Sequence, residues 1–330
     1  MLRQVRVTFQ ELYAALLKAL MTTAIDAERG RLCARLIAET TRDGVYSHGL
    51  HMFPRLMKMI DTGIVDVTVQ PVRVSGHGAL ERWDGGRGVG NLNAYACMEA
   101  AISLARRHGI GCVALANTNH WMRGGTYGWQ AADAGLIGMC WTNTLPNLPP
   151  WGATVPRIGN NPLVIAVPRG KGTGEHVVLD MAMSQFSYGA LASYRRRHEA
   201  LPVPGGFDES GELTRDPEAI ENSRRPLPIG FWKGSGLSIV LDMVAAMLAN
   251  GRATHEIPMN PEQETGVSQV FIAIDDGPMD DGDEAVKTVD AIVEHLGARY
   301  PGERTVETRR RNLTDGIPVE ASDWEWLTAV

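Results

Sequence analysis

Cysteine is scarce in this sequence: Cys33, Cys97, Cys112 and Cys140 lie far apart and include no CxxC pair. That spacing argues against both a disulfide framework and a zinc ribbon. Positive charge is not in excess, since 32 Lys and Arg against 38 Asp and Glu leave a net charge of −6. The overall basic footprint of a nucleic-acid binder is therefore missing. Long hydrophobic runs are missing too, and the longest, 237–248, is interrupted by Asp242 and falls short of a bilayer span. The opening MLRQVRVTFQELY lacks the apolar stretch and small-residue cleavage site of a signal peptide. These absences predict a cytoplasmic chain with neither nucleic acid nor membrane as partner. What is present is 330 residues, 44% hydrophobic and 21% charged, enough to bury a large core.

The first seventy residues read as helical. Thr8 followed by Glu11 fits a capping box, with Leu12, Leu16, Ala19 and Leu20 repeating on one face behind it. A second helix is expected over 26–39, with Cys33, Leu36 and Ile37 inward, ending at Arg42-Asp43-Gly44. A third covers 47–61, where Pro54 forces a kink or a late start. Strands are expected at 72–74, 111–116, 136–141, 163–167, 177–179 and 267–274. Between them fall a helix at 92–108, capped by Asn91 and ended by Gly109, and another at 237–250. Residues 199–228 read as a long surface excursion; the last fifty hold one helix near 285–296, a charged stretch and an exposed tail. Strands do not alternate regularly with helices, which predicts an α+β fold. Three segments follow: a helical one over 1–70, a central mixed-sheet region over 71–235 carrying cofactor and substrate, and a helix-and-strand segment over 236–330 packing back on the first.

No standard nucleotide signature is present. Gly86-Arg87-Gly88-Val89-Gly90 precedes a helix, but its third glycine is one residue early and no acid follows about twenty residues on. It reads as a helix entry. Lys233-Gly234-Ser235-Gly236 precedes the 237–250 helix, where free amides, glycine and a lysine suit a phosphate; a simple chain turn fits equally.

Two histidines stand in polar, glycine-rich settings. His48 lies in Gly44-Val45-Tyr46-Ser47-His48-Gly49 and titrates near neutrality, so it can give a proton to an oxygen gaining charge. Ser47 as its nucleophilic partner is disfavoured, because adjacent helical residues diverge by about 100°. His48 and His51 share a helical face and form a possible metal pair, but no third ligand follows at a recognised spacing. His120 lies in Asn117-Thr118-Asn119-His120-Trp121-Met122-Arg123-Gly124-Gly125 after an apolar strand, with donors suited to a carboxylate or hydroxyl-rich ligand. Asp180 ends another strand and can accept from a ribose hydroxyl, orient a histidine, or cap a helix. The run Arg195-Arg196-Arg197-His198 reads as a solvated face.

Taken together, the His48 and His120 segments, with Gly128-Trp129-Gln130-Ala131-Ala132, Pro149-Pro150-Trp151-Gly152-Ala153, Asn161-Pro162-Leu163, Phe186-Ser187-Tyr188-Gly189 and Phe231-Trp232-Lys233-Gly234-Ser235-Gly236, resemble the malate/L-lactate dehydrogenase family that lacks a Rossmann fold. The likeness runs from residue 7 to 273 and resumes near Gly302 and Gly316. It implies a family-specific NAD(P)-binding fold with a mixed, largely antiparallel sheet flanked by N- and C-terminal helices. It further implies a homodimer that reduces a 2-keto acid or sugar acid with NADH, NADPH being possible. His48 becomes the proton donor and His120 a second catalytic candidate. Cofactor contacts fall on His176, Val177, Val178, Leu179, Asp180, Met181 and Ala182, on Trp232 and Lys233, and on Gly302, Glu303 and Arg304. Ser47, Arg55 and Arg123 are the substrate candidates. Many relatives carry a carboxylate-gripping arginine four residues after this histidine; here the position is Met52. The stretch between Asp275 and Tyr300 is shorter than the family pattern. The alternatives are a malate, lactate or ureidoglycolate type of 2-hydroxy acid dehydrogenase, a metal-dependent lyase or hydrolase using His48 and His51, and a non-catalytic sugar-acid binder built on the His120 loop.

Overall fold

The computed structural model describes residues 3–169, 174–277 and 284–330; 278–283, within the shortened 275–300 stretch, lie outside it. The chain begins with strand β1 (Gln4–Val7) and helices α1 (Phe9–Leu20) and α2 (Ala27–Arg42). The Thr8–Glu11 capping box forms as expected, the Glu11 amide donating to Thr8 Oγ1 at 3.2 Å. Asp26 caps α2, whose inward face carries Cys33, Leu36 and Ile37. The third expected helix starts late: two 3-10 turns occupy Tyr46–His48 and Leu50–Met52, and α3 (Phe53–Asp61) follows with Pro54 in its first turn. Proline is tolerated there because its missing N–H has no helical partner to lose.

The strand expected at 72–74 is the start of β2 (Val72–His77), which forms a hairpin with β3 (Leu80–Asp84), a strand missing from the sequence reading, and α4 (Gly90–His108) follows. Asn91 does not cap α4 as expected. It lies inside the helix, buried, with Oδ1 3.5 Å from Cys33 Sγ, and Val89 takes the cap position. Next come β4 (Ile110–Asn119), α5 (Gly125–Asp133), β5 (Ile137–Thr142), β6 (Leu163–Val167) and β7 (Val177–Met181). Residues 199–228 are not a loose excursion. After α6 (Tyr188–Arg196), strands β8 (Gly206–Phe207) and β9 (Leu213–Thr214) pair, and α7 (Pro217–Ser223) docks through a small core of Leu191, Leu201 and Ile220. Sparse periodicity hid a unit held together by three apolar side chains.

Helix α8 (Trp232–Ala249) and strand β10 (Thr265–Ile274) follow. The helix is longer than its apolar run, and its 18 residues with mean hydropathy 1.3 meet the length and composition of a bilayer span. It packs instead on β10, β4 and β5. The final residues hold α9 (Glu284–His295), α10 (Glu303–Asp315), β11 (Ile317–Glu320) and α11 (Ala321–Ala329). The charged stretch is thus a helix. The supposed tail is a strand paired with β1 and a helix whose Leu327 is buried.

Seven strands form one sheet in the order β2-β3-β4-β10-β5-β6-β7, antiparallel at every junction except β3–β4. Period-2 alternation along β10 and its neighbours divides the side chains between two cores. Phe271, Leu115 and Val164 face α4 and α5, whereas Val270, Ala114 and Trp141 face α8. A third core joins the N-terminal helices to Ile317, Val319 and Leu327 from the far end of the chain. The strand directions bring the ends of β4, β5 and β7 and the starts of β6 and β10 to one edge of the sheet.

Candidate active site

That edge gathers the polar groups. His48 reaches it from the Tyr46–His48 turn, which two glycines let lie close to its neighbours. Gly44 has φ +83° and no room for a Cβ beside Thr308 of α10, and a Cβ on Gly49 would collide with Thr41 Oγ1. Ser47 Oγ lies 3.0 Å from His48 Nδ1, contrary to the divergence expected of helical neighbours. A single turn ending at Gly49 does not hold the two side chains on the separate bearings of a continuous helix.

His120 follows the last residue of β4. Its Nδ1 accepts the Met122 amide at 3.1 Å, in a turn where Met122 takes φ +64°, a rare conformation for a side chain of that size. This bond leaves the ring proton of neutral His120 on Nε2. The glycine-rich Gly86–Gly90 turn has a packing role here. Asn119 Nδ2 donates to the Arg87 and Gly88 carbonyls at 2.7 and 2.9 Å, and a Cβ on Gly90 would collide with the His120 carbonyl.

The His48 and His120 rings stack 5.9 Å apart with planes 18° from parallel. Burial pushes both imidazoles below their ordinary value. The negative charge of Asp180 opposes this at His48, while Arg123 and Arg55 push it further down. His120 is lowered well below the usual histidine range by burial, then by Arg55 and His48. Asp180 also accepts the Gly125 amide at 2.8 Å, so it caps α5 while standing close enough to bias His48.

Arg123 is 5% exposed, with Nη1 2.8 Å from Asp43 Oδ2, and its Nε has no hydrogen-bond partner among the described residues. Asp43, read from sequence only as a turn residue, holds three guanidinium groups. Arg42 Nε sits at 2.9 Å, Arg123 Nη1 at 2.8 Å, and Arg309 donates twice at 2.8 Å. These cations hold the Asp43 carboxyl far below the usual range despite its burial. Arg309 in turn lies over the Trp129 ring at 4.6 Å. Arg55 Nη1 comes within 3.8 Å of Met52 Sδ, its Nη2 pairs with Glu264 Oε2 at 3.0 Å and donates to the Pro261 carbonyl, and its Nε is buried without a partner among the described residues. Arg55 thus brings a guanidinium beside position 52.

Two cavities meet at the histidine pair. One, of about 460 Å³, runs along β7 past Val178, Leu179 and Asp180 to Pro301, Gly302 and Thr305. The other, of about 660 Å³, extends past Met52, Arg55 and Thr144 towards Tyr188 and Glu264. Ser47, His48, His120, Thr144, Asn160 and Ser187 belong to both.

The first cavity carries part of the expected cofactor set. Gly302 has φ +100° and a Cβ there would stand 3.0 Å from the His176 carbonyl and Val178 amide, so the chain passes close against β7. The positive end of the α10 dipole begins at the next residue, Glu303. Of the expected cofactor residues, Val178, Leu179, Asp180, Ala182 and Gly302 line this cavity. His176 stands behind it, Nδ1 accepting the Arg169 amide at 3.0 Å and Nε2 2.9 Å from Asp133 Oδ1. Met181 packs in the core beneath α8, and Val177 is absent from the cavity wall. Arg304 opens onto a neighbouring cavity beside Arg196 and Arg197.

Trp232 and Lys233 line neither of the two cavities; Trp232 is 65% exposed. The Lys233, Gly234 and Ser235 amides already donate to Gly230, Ile229 and Phe231 carbonyls, because α8 starts at Trp232 rather than beyond Gly236. The free amides on which the phosphate reading of this motif relied are therefore taken. His51 meets Asp323 at 3.0 Å and groups with it and Glu320, a cluster that does not include His48. The arginine run is tied down by partners, Arg195 by Glu221, Arg196 by Glu320 and Arg197 by Glu199.

A family model described as malate/L-lactate dehydrogenase matches residues 7–328. The chain belongs to this family. It is an oxidoreductase by that membership, and a nicotinamide dinucleotide is the family's cofactor. The chain is 46% identical to the 2,3-diketo-L-gulonate reductase of Shigella boydii serotype 4 (strain Sb227) over 98% of its own length and all of the relative's. Among solved structures it is similar to delta1-piperideine-2-carboxylate reductase from Pseudomonas syringae pvar. tomato, at 27% identity and TM-score 0.88, covering 98% of this chain and 99% of that one. Malate dehydrogenase from Entamoeba histolytica shares the fold at TM-score 0.92 and 23% identity, over 99% and 97% of the two chains.

Proposed function

We propose that this enzyme reduces 2,3-diketo-L-gulonate, or a sugar acid close to it, to the corresponding 2-hydroxy acid, with His48 as the proton donor. The reading rests on the full-length similarity to reductases of that name and on one observation that carries the chemistry. The two cavities join at a stacked imidazole pair in which the Met122 amide fixes His120 as a neutral donor. The mobile proton then belongs to His48.

A reduced nicotinamide bound along β7 would supply a hydride to the carbonyl carbon. His48 delivers the proton to the carbonyl oxygen as it gains charge, help worth roughly 10²–10⁴ in rate. Ser47 holds His48 through Nδ1, which directs Nε2 to the substrate, and His120 Nε2–H donates a second hydrogen bond to the same oxygen. Arg55 and Arg123 attract the substrate carboxylate, and Arg55 fills the role left open by Met52. A dinucleotide held this way does not use the parallel βαβ unit with a glycine fingerprint. NADH is the favoured form, because Arg304 opens onto a different cavity and is not offered to a 2′-phosphate.

The enzyme works in the cytoplasm, as its four free cysteines suit a reducing compartment. It acts as a homodimer, since Val240, Met243 and Met247 leave an apolar stripe exposed on α8 that a second copy would cover. The test is a cofactor-oxidation screen with NADH and NADPH against diketogulonate, pyruvate, oxaloacetate and the oxidised form of ureidoglycolate. Preference for diketogulonate with NADH is expected; a higher kcat/KM for oxaloacetate or pyruvate would transfer the reading to a malate or lactate type of dehydrogenase.

A further inference from the structure

The second cavity is larger than its chemistry at the histidines requires. About 660 Å³ lies within the range of roughly 300–1,000 Å³ typical of pockets for drug-sized ligands. A three-carbon keto acid would leave most of it empty. Part of its wall comes from the 199–228 segment, through Glu221 and Arg224 at the end of α7.

That end is built firmly. Ile220 anchors α7 against Leu191 and Leu201, and Arg195 Nε holds Glu221 Oε2 at 3.0 Å. Arg224 closes the helix in the left-handed conformation at φ +55°, a place usually taken by glycine. Its neighbours along the chain are engaged: Arg225 lies over the Phe207 ring, and Arg215 donates to the Leu201 carbonyl at 2.5 Å. The Arg224 guanidinium forms no hydrogen bond or ion pair among the described residues, yet it borders the cavity. The charge of Arg55 acts on both histidines, whereas that of Arg224 acts on Tyr188, so the two arginines serve different ends of the same space.

We propose that Arg224, with Glu221 beside it, is a specificity-determining residue that reads the end of the substrate remote from the reacting carbonyl. A hydroxylated carbon chain suits this pair, because each hydroxyl accepts from a guanidinium and donates to a carboxylate. A substrate held by its carboxylate near Arg55 turns its far hydroxyls along the same cavity towards that end. Asn260, whose Oδ1 accepts the Glu262 amide, adds its side-chain nitrogen as a further donor along the wall. The assignment rests on the proposed reductase reading for its reacting end and adds the selection of chain length.

The test compares wild type with R224A, R224K and E221Q. The ratio of kcat/KM for diketogulonate over that for pyruvate is expected to fall roughly tenfold or more in R224A, the loss of a charged hydrogen bond, and to recover in part in R224K. E221Q is expected to lower the same ratio. Equal losses for the two substrates, or an unchanged ratio, would overturn the assignment. Calorimetric titration with L-gulonate separates this from failure of the reductase reading. If wild type reduces neither substrate that reading fails alone, and R224A binding gulonate as tightly as wild type would still overturn the role of Arg224.

Discussion

The imidazoles of His48 and His120 lie nearly parallel, their centroids 5.9 Å apart, and the Met122 amide is bound to Nδ1 of only one of them. Two buried imidazoles at this spacing do not both carry charge, since each disfavours the protonated form of the other. Protonating His120 at Nδ1 would also break its bond to Met122. The asymmetry supports the proposal that His48 carries the mobile proton.

A pH dependence follows from the lowered proton affinity of His48. Reduction needs the protonated ring in the free enzyme, so its kcat/KM should fall as pH rises through an apparent pKa below the ordinary 6.5. Oxidation of the hydroxy acid needs the neutral ring and should rise through the same value. Profiles in both directions test this. A reductive limb centred above 6.5 would contradict it.

Asp43 neutralises buried cations that would otherwise face one another. D43N leaves Arg123 buried beside Arg42 and Arg309 without its carboxylate, and should cost about 3–5 kcal/mol in urea denaturation at neutral pH. The carboxyl's value in the folded protein lies below its ordinary 3.8. Its stabilisation is therefore complete above that ordinary value and is lost as pH falls towards the folded one. The difference between D43N and wild type should shrink on acidification. A constant difference down to acid unfolding would remove Asp43 from this role.

Gly302 tests the cofactor wall. At φ +100°, with the His176 carbonyl 3.0 Å from where a Cβ would stand, alanine must push the start of α10 away from β7. G302A should raise the Kd for NADH, followed by fluorescence titration, roughly tenfold or more. An unchanged Kd would move the dinucleotide elsewhere.

Local chemistry made part of this legible in the sequence. The Thr8–Glu11 box, the helix starting at Asp26 and the strand over 267–274 each need only a few neighbouring residues. The pairing of β1 with β11 joins residues more than three hundred apart, and no periodicity announces it. Asp43 escaped for the same reason: two of its three cations, Arg123 and Arg309, come from distant elements, so a turn residue was all that Arg42-Asp43-Gly44 displayed. His48 and His120 stood out by their glycine-rich settings, but only the fold shows them stacked. The free amides expected after Lys233 are not there, because a glycine-serine motif at a helix start reads alike whether its amides are free or already bonded.

The most direct measurement is turnover of diketogulonate by H48Q and H120Q, alongside the NADH affinity of each. The account predicts that H48Q loses roughly 10²–10⁴ in kcat with NADH affinity kept, and that H120Q loses less. Near-normal kcat in H48Q, or a larger loss in H120Q, would contradict it.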